Sequence, residues 1–598
     1  MWQTQRLLSL GFLPITFHLD TLSAVFLALL GAVCVAIALF SPGYLTHLNG
    51  RIHAGQYWAA FFLFLLSMAL VVLSGDAVTF IVFWELMSLS SVALVAAEHT
   101  QHQVQRATLI YLGATRIATA FLASGFIWMH TLTHSWKFTE WHFDGAAQNP
   151  AALLILIGFC IKAGIWPFHI WLPYAHPAAP TPVSSLMSGV MIKIALYGVI
   201  RVLVLGDLNC LPLAYLTLLL GTISAFWGVL FALVQHDLKR LLAYHSVENV
   251  GLILMGIAIT LLSRSAALPE IGAISLAAAV FHCVNHGLFK SLLFLGAGSV
   301  DAAAHTRNLV HLGGLGRKMP WTMACFLIGS AAICALPPLN GFASKWLIYQ
   351  SLFQNVWQSH SLLDRGISLA IMCVLGVVGG LALACFSKAL AVTFLGNPRS
   401  RSAVDAHEGS VGMIVAQLLL AICCFALGVS VPKILGLLKP ICDLALHQPT
   451  NIQSAFTIPQ AGIAVALFTL ICITYAIFLN RSLTRRYITW ECGFGKLSSR
   501  CQVTPDSFAQ PVARIFNPIL GYKLAIEITG KDRRHFPEHI KVEPQMVSIL
   551  ENRIYLPALA LVSSLARGLA KIQAGSIHLY LIYLCFTLVL LLLVGIRL

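Results

Sequence analysis

Apolar stretches long enough to cross a bilayer recur along the whole chain. They lie at roughly 21–45, 56–74, 77–97, 107–130, 150–166, 179–204, 211–235, 241–262, 270–298, 320–356, 367–394, 411–431, 459–480 and 576–597. A hydrocarbon core about 30 Å thick takes about 20 apolar residues in helical form. In lipid, every backbone polar group must be bonded within a helix or a closed barrel. The runs here are continuous rather than alternating, which excludes the barrel. The sequence therefore predicts an all-α integral membrane protein with about 14 transmembrane helices. Only 10% of the 598 residues are charged, against about 25% in soluble domains.

Within those runs, the segment from Gly158 to Arg201 departs most from what lipid tolerates. It reads GFCIKAGIWPFHIWLPYAHPAAPTPVSSLMSGVMIKIALYGVIR. Lys162 and Lys193 sit in apolar, helix-length surroundings, separated by Pro167, Pro173, Pro177, Pro180 and Pro182 and by His169 and His176. A lysine at the bilayer centre costs about 2.5–3.5 kcal/mol on insertion scales. A proline frees a carbonyl that lipid cannot satisfy. Such a segment suits a hydrated path inside a bundle, where broken helices are tolerated. The competing reading is a lysine that snorkels to the interface. A second broken element is predicted at 335–341 (ALPPLNG), inside the run 320–356 and just before Lys345. Interrupted helices in corresponding places of two halves point to an internal-repeat transporter.

Further ionisable groups lie within the apolar runs. Glu85 sits in TFIVFWELMSLSSVAL, where the alternatives are pairing with a cation or hydrogen bonding to Ser88 or Ser90. His282, His286 and Lys290 follow at steps of four and so share one helix face. Imidazole titrates near neutrality and a desolvated lysine can be brought towards it, so such a row can pass protons through waters. A metal pair of His282 with His286, or plain helix-packing histidines, are the alternatives. Arg116 and Glu248 are intramembrane charges that need partners. Asp237, Lys239 and Arg240 read as an interfacial charge cluster at a helix junction.

Lysine and arginine in the loops give the orientation. One side carries Arg51, Arg106, Lys239, Arg240, Arg307, Arg317, Lys318, Arg399 and Arg401, together with the segment after 480; it is read as cytoplasmic. The organisation predicted is N-terminal spans over 1–76 and a first half-channel repeat over 77–204. A second repeat follows over 205–356, or to about 394, then C-terminal spans over 357–480. A cytoplasmic segment over 481–575 contains an amphipathic helix near 553–573, and a last span occupies 576–598. The start has no signal peptide with a small-residue cleavage site. The fifteen cysteines are scattered with no C-x-x-C spacing, so no zinc site, iron–sulfur cluster or disulfide framework is expected. No phosphate loop, dinucleotide fingerprint, nucleophile triad or haem motif is present. The net charge of +15 fits cytoplasmic loops rather than a nucleic-acid partner.

Five motifs give these residues a familiar order: FWELMSLSS, KAGIWPFHIWLPYAHPAAPTPVSSLMSG, QHDLKRLLAYHSVENVG, FHCVNHGLFKSLLFLGAGSV and LPPLNGFASKW, spanning about 77–350. The sequence resembles the antiporter-like subunits of respiratory complex I and its relatives, which include group 4 membrane hydrogenases and multisubunit cation/proton antiporters. The versions HDLKRLLAYHSVENVG, WECGFG and GSIHLYLIY look most like the formate hydrogenlyase and hydrogenase-4 component B branch. The resemblance implies two inverted five-helix repeats, each with a Pro-broken helix. It implies that Glu85 and Lys162 form the carboxylate–lysine pair of the first half-channel, with Lys193 in the next span. His282, His286 and Lys290 would connect the halves and reach Lys345, where some relatives carry glutamate. His169, Arg116, Asp237, Lys239 and Glu248 would support this route. Relatives commonly have two spans ahead of the one near Asp20, which this sequence lacks, and the partner of Arg116 is not given by the family pattern.

The function expected is a proton-translocating subunit of a respiratory-type oxidoreductase complex in the inner (plasma) membrane. It would hold no cofactor and would work beside other membrane subunits and a peripheral redox or carbon-hydrating arm. The alternatives are a subunit of a cation/proton antiporter, with sodium as the possible second ion, and a membrane coupling subunit for inorganic-carbon uptake.

Overall fold

Side chains at the ends of the apolar runs set where the helices begin. Asp20, Asp76 and Asp237 each accept a hydrogen bond from the backbone N–H three residues on, at 2.9, 2.8 and 2.9 Å. Each thereby satisfies one of the donors that a helix start leaves free. The computed structural model describes residues 5–10, 13–48, 50–143, 145–479, 490–493, 495, 497–529, 535, 537–546, 551–570 and 581–588. The helices in order are α1 (Thr21–Leu45), α2 (Ala54–Leu73), α3 (Ala77–Val95), α4 (His102–Thr133), α5 (Asn149–Ala163), α6 (Leu172–Ala178), α7 (Thr181–Leu186), α8 (Ile192–Gly198), α9 (Leu211–Leu233), α10 (Leu238–Ser265) and α11 (Pro269–Ala304). There follow α12 (Pro320–Ile333), α13 (Asn340–Gln358), α14 (Leu362–Phe394), α15 (Arg401–Asp405), α16 (Val411–Val429), α17 (Val431–Leu446) and α18 (Gln460–Leu479).

Among the described residues, 12 helices are long and apolar enough to cross a membrane. The expected tenth span is split into α12 and α13, so neither piece alone reaches that length with that apolarity. Of the expected last span, only 581–588 is described, as helix. The expected all-α membrane fold is present, with two short hairpins beside the helices. An antiparallel hairpin, β1 (Gln5–Leu10) with β2 (Leu13–Phe17), precedes α1. It is tied to the start of α3, because Thr16 donates from both N–H and hydroxyl to Asp76 Oδ2, at 2.8 and 2.6 Å.

Two compact units are present, 1–510 and 511–598. The helix α19 (Pro505–Ile515) spans their boundary. The second unit holds α20 (Asn517–Leu520), a second hairpin of β3 (Tyr522–Thr529) with β4 (His539–Met546), and α21 (Leu556–Ala570). α21 falls where the amphipathic helix was predicted; the hairpin was not foreseen.

The first unit is arranged around α10 and α11. Their membrane-crossing windows are 100% and 94% buried, and that of α7–α8 is 94% buried, against 11% for α18. α10 lies along α9 and α11, while α11 also touches α7, α12, α13, α16 and α17. The expected breaks are present. α5 ends at Ala163, one residue after Lys162, and is capped by Gly164, whose φ of +75° is left-handed, a conformation glycine adopts without the Cβ penalty. α12 ends at Ile333 and α13 begins at Asn340, five residues before Lys345. In the run 54–204 the fourth of five crossing elements is the broken one, α5–α6; in the run 211–394 it is again the fourth, α12–α13.

Close backbone approach places α10. A Cβ at Gly228 of α9 would sit 2.8 Å from the Tyr244 carbonyl and closer still to the Glu248 amide. Gly228→Ala is therefore expected to cost about 1–3 kcal/mol by overpacking. In thermal unfolding of the detergent-purified protein this reads as a midpoint lowered by several degrees. Gly113→Ala, on α4 with nothing within 4 Å of the added carbon, should leave the midpoint unchanged or slightly raised.

Candidate functional site

The buried row begins on α3 and α5. Lys162 is fully enclosed, and its Nζ donates to Ser88 Oγ at 2.9 Å and to Tyr111 OH at 3.4 Å. It lies over the Trp84 and Tyr111 rings, 5.7 and 5.4 Å from their centres, within cation–π range. Tyr111 OH is in turn 2.7 Å from Ser91 Oγ. Glu85 is not the direct partner of Lys162 that the resemblance implied. It forms an ion pair with Arg116 of α4, and it reaches Lys162 only through the field. The reason is reach: Ser88, one turn along α3 from Glu85, occupies the ammonium. Ser90, the other hydroxyl considered for Glu85, bonds the Leu86 carbonyl at 2.7 Å instead. Both Glu85 and Arg116 lie at mid-helix, and their side chains are 23% and 41% exposed at the outer surface of the chain.

Lys193 is fully buried at the start of α8. The residues before it, Met187–Met191, form a π turn, which frees a carbonyl from the regular ladder. Lys193 Nζ donates to that of Ser188. Ser188 Oγ is 2.8 Å from Ser246 Oγ on α10, which donates to the Leu242 carbonyl at 3.2 Å. Lys290 on α11 donates to the same Leu242 carbonyl. A hydroxyl–carbonyl bridge thus joins Lys193 to Lys290.

From Lys290 the row follows one face of α11, as the spacing predicted. The His286 and His282 rings are nearly parallel, 6.2 Å apart. His282 is held at both nitrogens, by Ser344 Oγ at 2.8 Å and Asn249 Oδ1 at 3.1 Å, which leaves it no free position for a shared metal. Both nitrogens of His286 lack a hydrogen-bond partner among the described residues, as suits a polar group that exchanges bonds with water. Ser344 adjoins Lys345 in sequence. Lys345 Nζ donates to the Ile333 carbonyl at 2.9 Å, at the broken end of α12. It also lies 3.6 Å from Glu248 Oε1. The other Glu248 oxygen contacts His245 Nδ1, and Glu248 and His245 are both fully buried. Sequence reasoning left Glu248 in a supporting place; here it is the carboxylate beside Lys345. A cleft of about 310 Å³, lined by Leu252, Phe342, Trp346 and Leu375, opens beside Lys345.

The supporting residues fall in two places. His169, 5% exposed, lies between the Trp227 and Tyr244 rings, and its Nδ1 has no hydrogen-bond partner among the described residues. Asp237 caps α10 and pairs with Arg307 at 3.2 Å. Lys239 donates to the Ala179 carbonyl at 3.0 Å, in the gap between α6 and α7. Both line a polar cavity of about 360 Å³ with Glu98, Asp301 and Arg307, at the face that carries the basic loops. Sequence reasoning missed Lys388 of α14, which is fully buried. Its signal was a lysine inside the apolar stretch LACFSKALAV, near enough to a helix end to pass for an interfacial one.

Residues 74–371, which hold every one of these groups except Lys388, match the model of the NADH:quinone oxidoreductase/Mrp antiporter transmembrane family. Hydrogenase-4 component B of Escherichia coli K12 is 33% identical over 97% of this chain and 89% of its own length. The chain belongs to the NADH:quinone oxidoreductase/Mrp antiporter family. Formate hydrogenlyase subunit 3 of Escherichia coli K12, also 33% identical, aligns over 84% of this chain and 81% of its own. The same fold is found in the archaeal membrane-bound sulfane sulfur reductase, a respiratory membrane complex, with a TM-score of 0.76 at 21% identity over 99% of this chain and 91% of that one. These relatives are components of multisubunit membrane complexes, and this member of the NADH:quinone oxidoreductase/Mrp antiporter family is a multi-pass membrane protein of the same antiporter type.

If Glu85 belongs to Arg116 rather than to Lys162, a double-mutant cycle will report it. Glu85→Gln combined with Arg116→Gln should give a coupling of about 0.5–3 kcal/mol in stability. Glu85→Gln with Lys162→Met should couple less, as read from unfolding midpoints of the four members of each cycle.

Proposed function

We propose that this chain is a proton-translocating subunit of a respiratory-type oxidoreductase complex of the hydrogenase-4, formate hydrogenlyase or NADH dehydrogenase kind, in the inner membrane. The observation that carries the reading is the row of buried polar groups between Lys162 and Lys345: Lys193 is joined to Lys290 through Ser188 and Ser246, His286 lies beside His282, and His282 bonds Ser344, the neighbour of Lys345. In this reading the runs 54–204 and 211–394 are two half-channels. Each has a lysine beside its broken helix and a carboxylate on its second helix, Glu85 in one and Glu248 in the other. A proton arriving at Lys162 changes the field at Lys193 and Lys290, and Coulomb interaction between desolvated groups is strong enough to bias the next site. Lys345, held between the Ile333 carbonyl and Glu248, is the terminal site. The polar cavity around Asp237 and Lys239 provides a hydrated mouth on the basic face.

A second reading keeps the route and changes the driving force: part of a cation/proton antiporter, as the family description includes Mrp antiporters. Partners separate the two. The ion pair Glu85–Arg116 lies part-exposed on the outer surface of this chain at mid-helix, where lipid is costly for charge. We place a neighbouring membrane subunit over it. A peripheral redox arm then identifies the oxidoreductase, and its absence from the purified assembly identifies the antiporter.

In vesicles that carry the intact complex, Lys162→Ala is expected to abolish coupled proton movement with assembly retained. Lys162→Arg should fail as well, because guanidinium stays protonated. Normal flux in either variant sinks the reading. At the far end, Lys345→Glu alone sets two carboxylates side by side and should lose most of the flux. The exchange Glu248→Lys with Lys345→Glu restores opposite charges and should recover part of it; a swap no better than the single change would break the pairing of these two groups.

A further inference from the structure

We propose that Lys388 is a proton-carrying residue of the second half-channel, linking the Glu248–Lys345 region to the basic face beside His236 and Asp506. The inference rests on the reading above and extends it to a residue outside the matched region 74–371.

Lys388 is fully buried on α14, the fifth element of the run 211–394. Its Nζ donates to the Leu233 carbonyl and, at 2.7 Å, to that of Gln235, both at the C-terminal end of α9. Among the described residues no carboxylate lies within ion-pair distance. An ammonium taken out of water and met only by neutral carbonyls is costly. The plain explanation is a cap on the last carbonyls of α9. The other run of five shows why capping is not enough. There, Val72 stands four residues before the capping Asp76, as Leu233 stands four before the capping Asp237. The Val72 carbonyl is capped from the fifth element of its run by Tyr197, whose hydroxyl donates at 2.7 Å. A neutral hydroxyl therefore meets the same structural need at the corresponding place. A charge at 388 is extra, and its use must lie in the charge.

The surroundings connect it in both directions. Outward, Gln235 is followed by His236, whose Nε2 is 3.0 Å from Asp506 Oδ1, and both side chains are part-exposed. Asp506 is held there by its own segment: Gln502 exchanges two hydrogen bonds of 2.9 Å with Asn397, and Arg399 donates to the Val503 carbonyl at 2.6 Å. Inward, one turn of α14 carries Cys385 and Phe386. The Phe386 ring centre lies 4.6 Å from that of His245, the partner of Glu248, with the two planes tilted by 34°. Cys385 lies within the fields of Lys388, Glu248 and Lys290 together. His245 Nε2 has no hydrogen-bond partner among the described residues and so is free to take or give a proton. In one cycle the Lys388 ammonium gives a proton to water or to the His236–Asp506 pair. The amine then regains one from the Glu248 side, or the reverse, and its charge returns to the starting value.

Lys388→Gln and Lys388→Arg test this in vesicles that carry the intact complex, with Lys162→Ala alongside. Both variants can still donate to the α9 carbonyls, but neither exchanges a proton in the working range. The proposal expects assembly as in the wild type and proton flux reduced about tenfold or more in both. Full flux in either variant overturns it, as does failure of both to assemble, which would make Lys388 a structural cap. Flux lost in Lys162→Ala but intact in Lys388→Gln overturns this inference alone. Flux unchanged in both fails the proposed function with it.

Discussion

Everything in the first unit follows from the difficulty of keeping an ammonium group inside a membrane. Lipid cannot solvate it, and a carboxylate beside every lysine would freeze the charge in place. The chain supplies backbone carbonyls instead. Lys193 uses the one freed by a π turn, Lys345 the end of broken α12, Lys290 a carbonyl of α10 and Lys388 the end of α9. Each of those carbonyls is left over from an irregularity in the helical ladder, or shared with a hydroxyl. The prolines and π turns, which look like defects in a spanning helix, supply the solvation that the lysines require.

Carboxylates are used sparingly, and in different ways. Glu85 is matched by a guanidinium, whereas Glu248 stands between an imidazole and an ammonium. The two acids occupy the second helix of their respective runs, one in a single part-exposed ion pair and the other fully buried and shared between two groups.

Much of this was legible in the sequence. Length and apolarity gave the helical, multi-span character; prolines gave a break after Lys162 and another at 335–341; steps of four gave the histidine–lysine face of α11. What escaped was set by tertiary reach. Nothing local in FWELMSLSS says that Ser88 takes the lysine while Glu85 turns to Arg116, because the choice depends on how α3, α4 and α5 are rotated against one another. The serine bridge from Lys193 to Lys290 joins residues 58 apart, and a lone serine in an apolar run carries no signal of its own. Lys388 is hidden for the opposite reason: a lysine six residues from the end of α14 has the sequence signature of an interfacial one, and only its burial shows otherwise. The two hairpins lie outside the membrane-crossing part, where hydrophobic periodicity has least to say.

The short helix α8 is bounded on both sides by π turns, Met187–Met191 and Val199–Val204. Each π turn stores one residue more than an α turn would. One residue more or less on the N-terminal side turns everything that follows by one position, about 100° around the helix axis. Lys193 is the only charged residue of α8. The extra residue at Met187–Met191 therefore sets the azimuth of Lys193 and aims its ammonium at the Ser188 carbonyl; a regular α turn there would point the lysine at a different wall of the bundle.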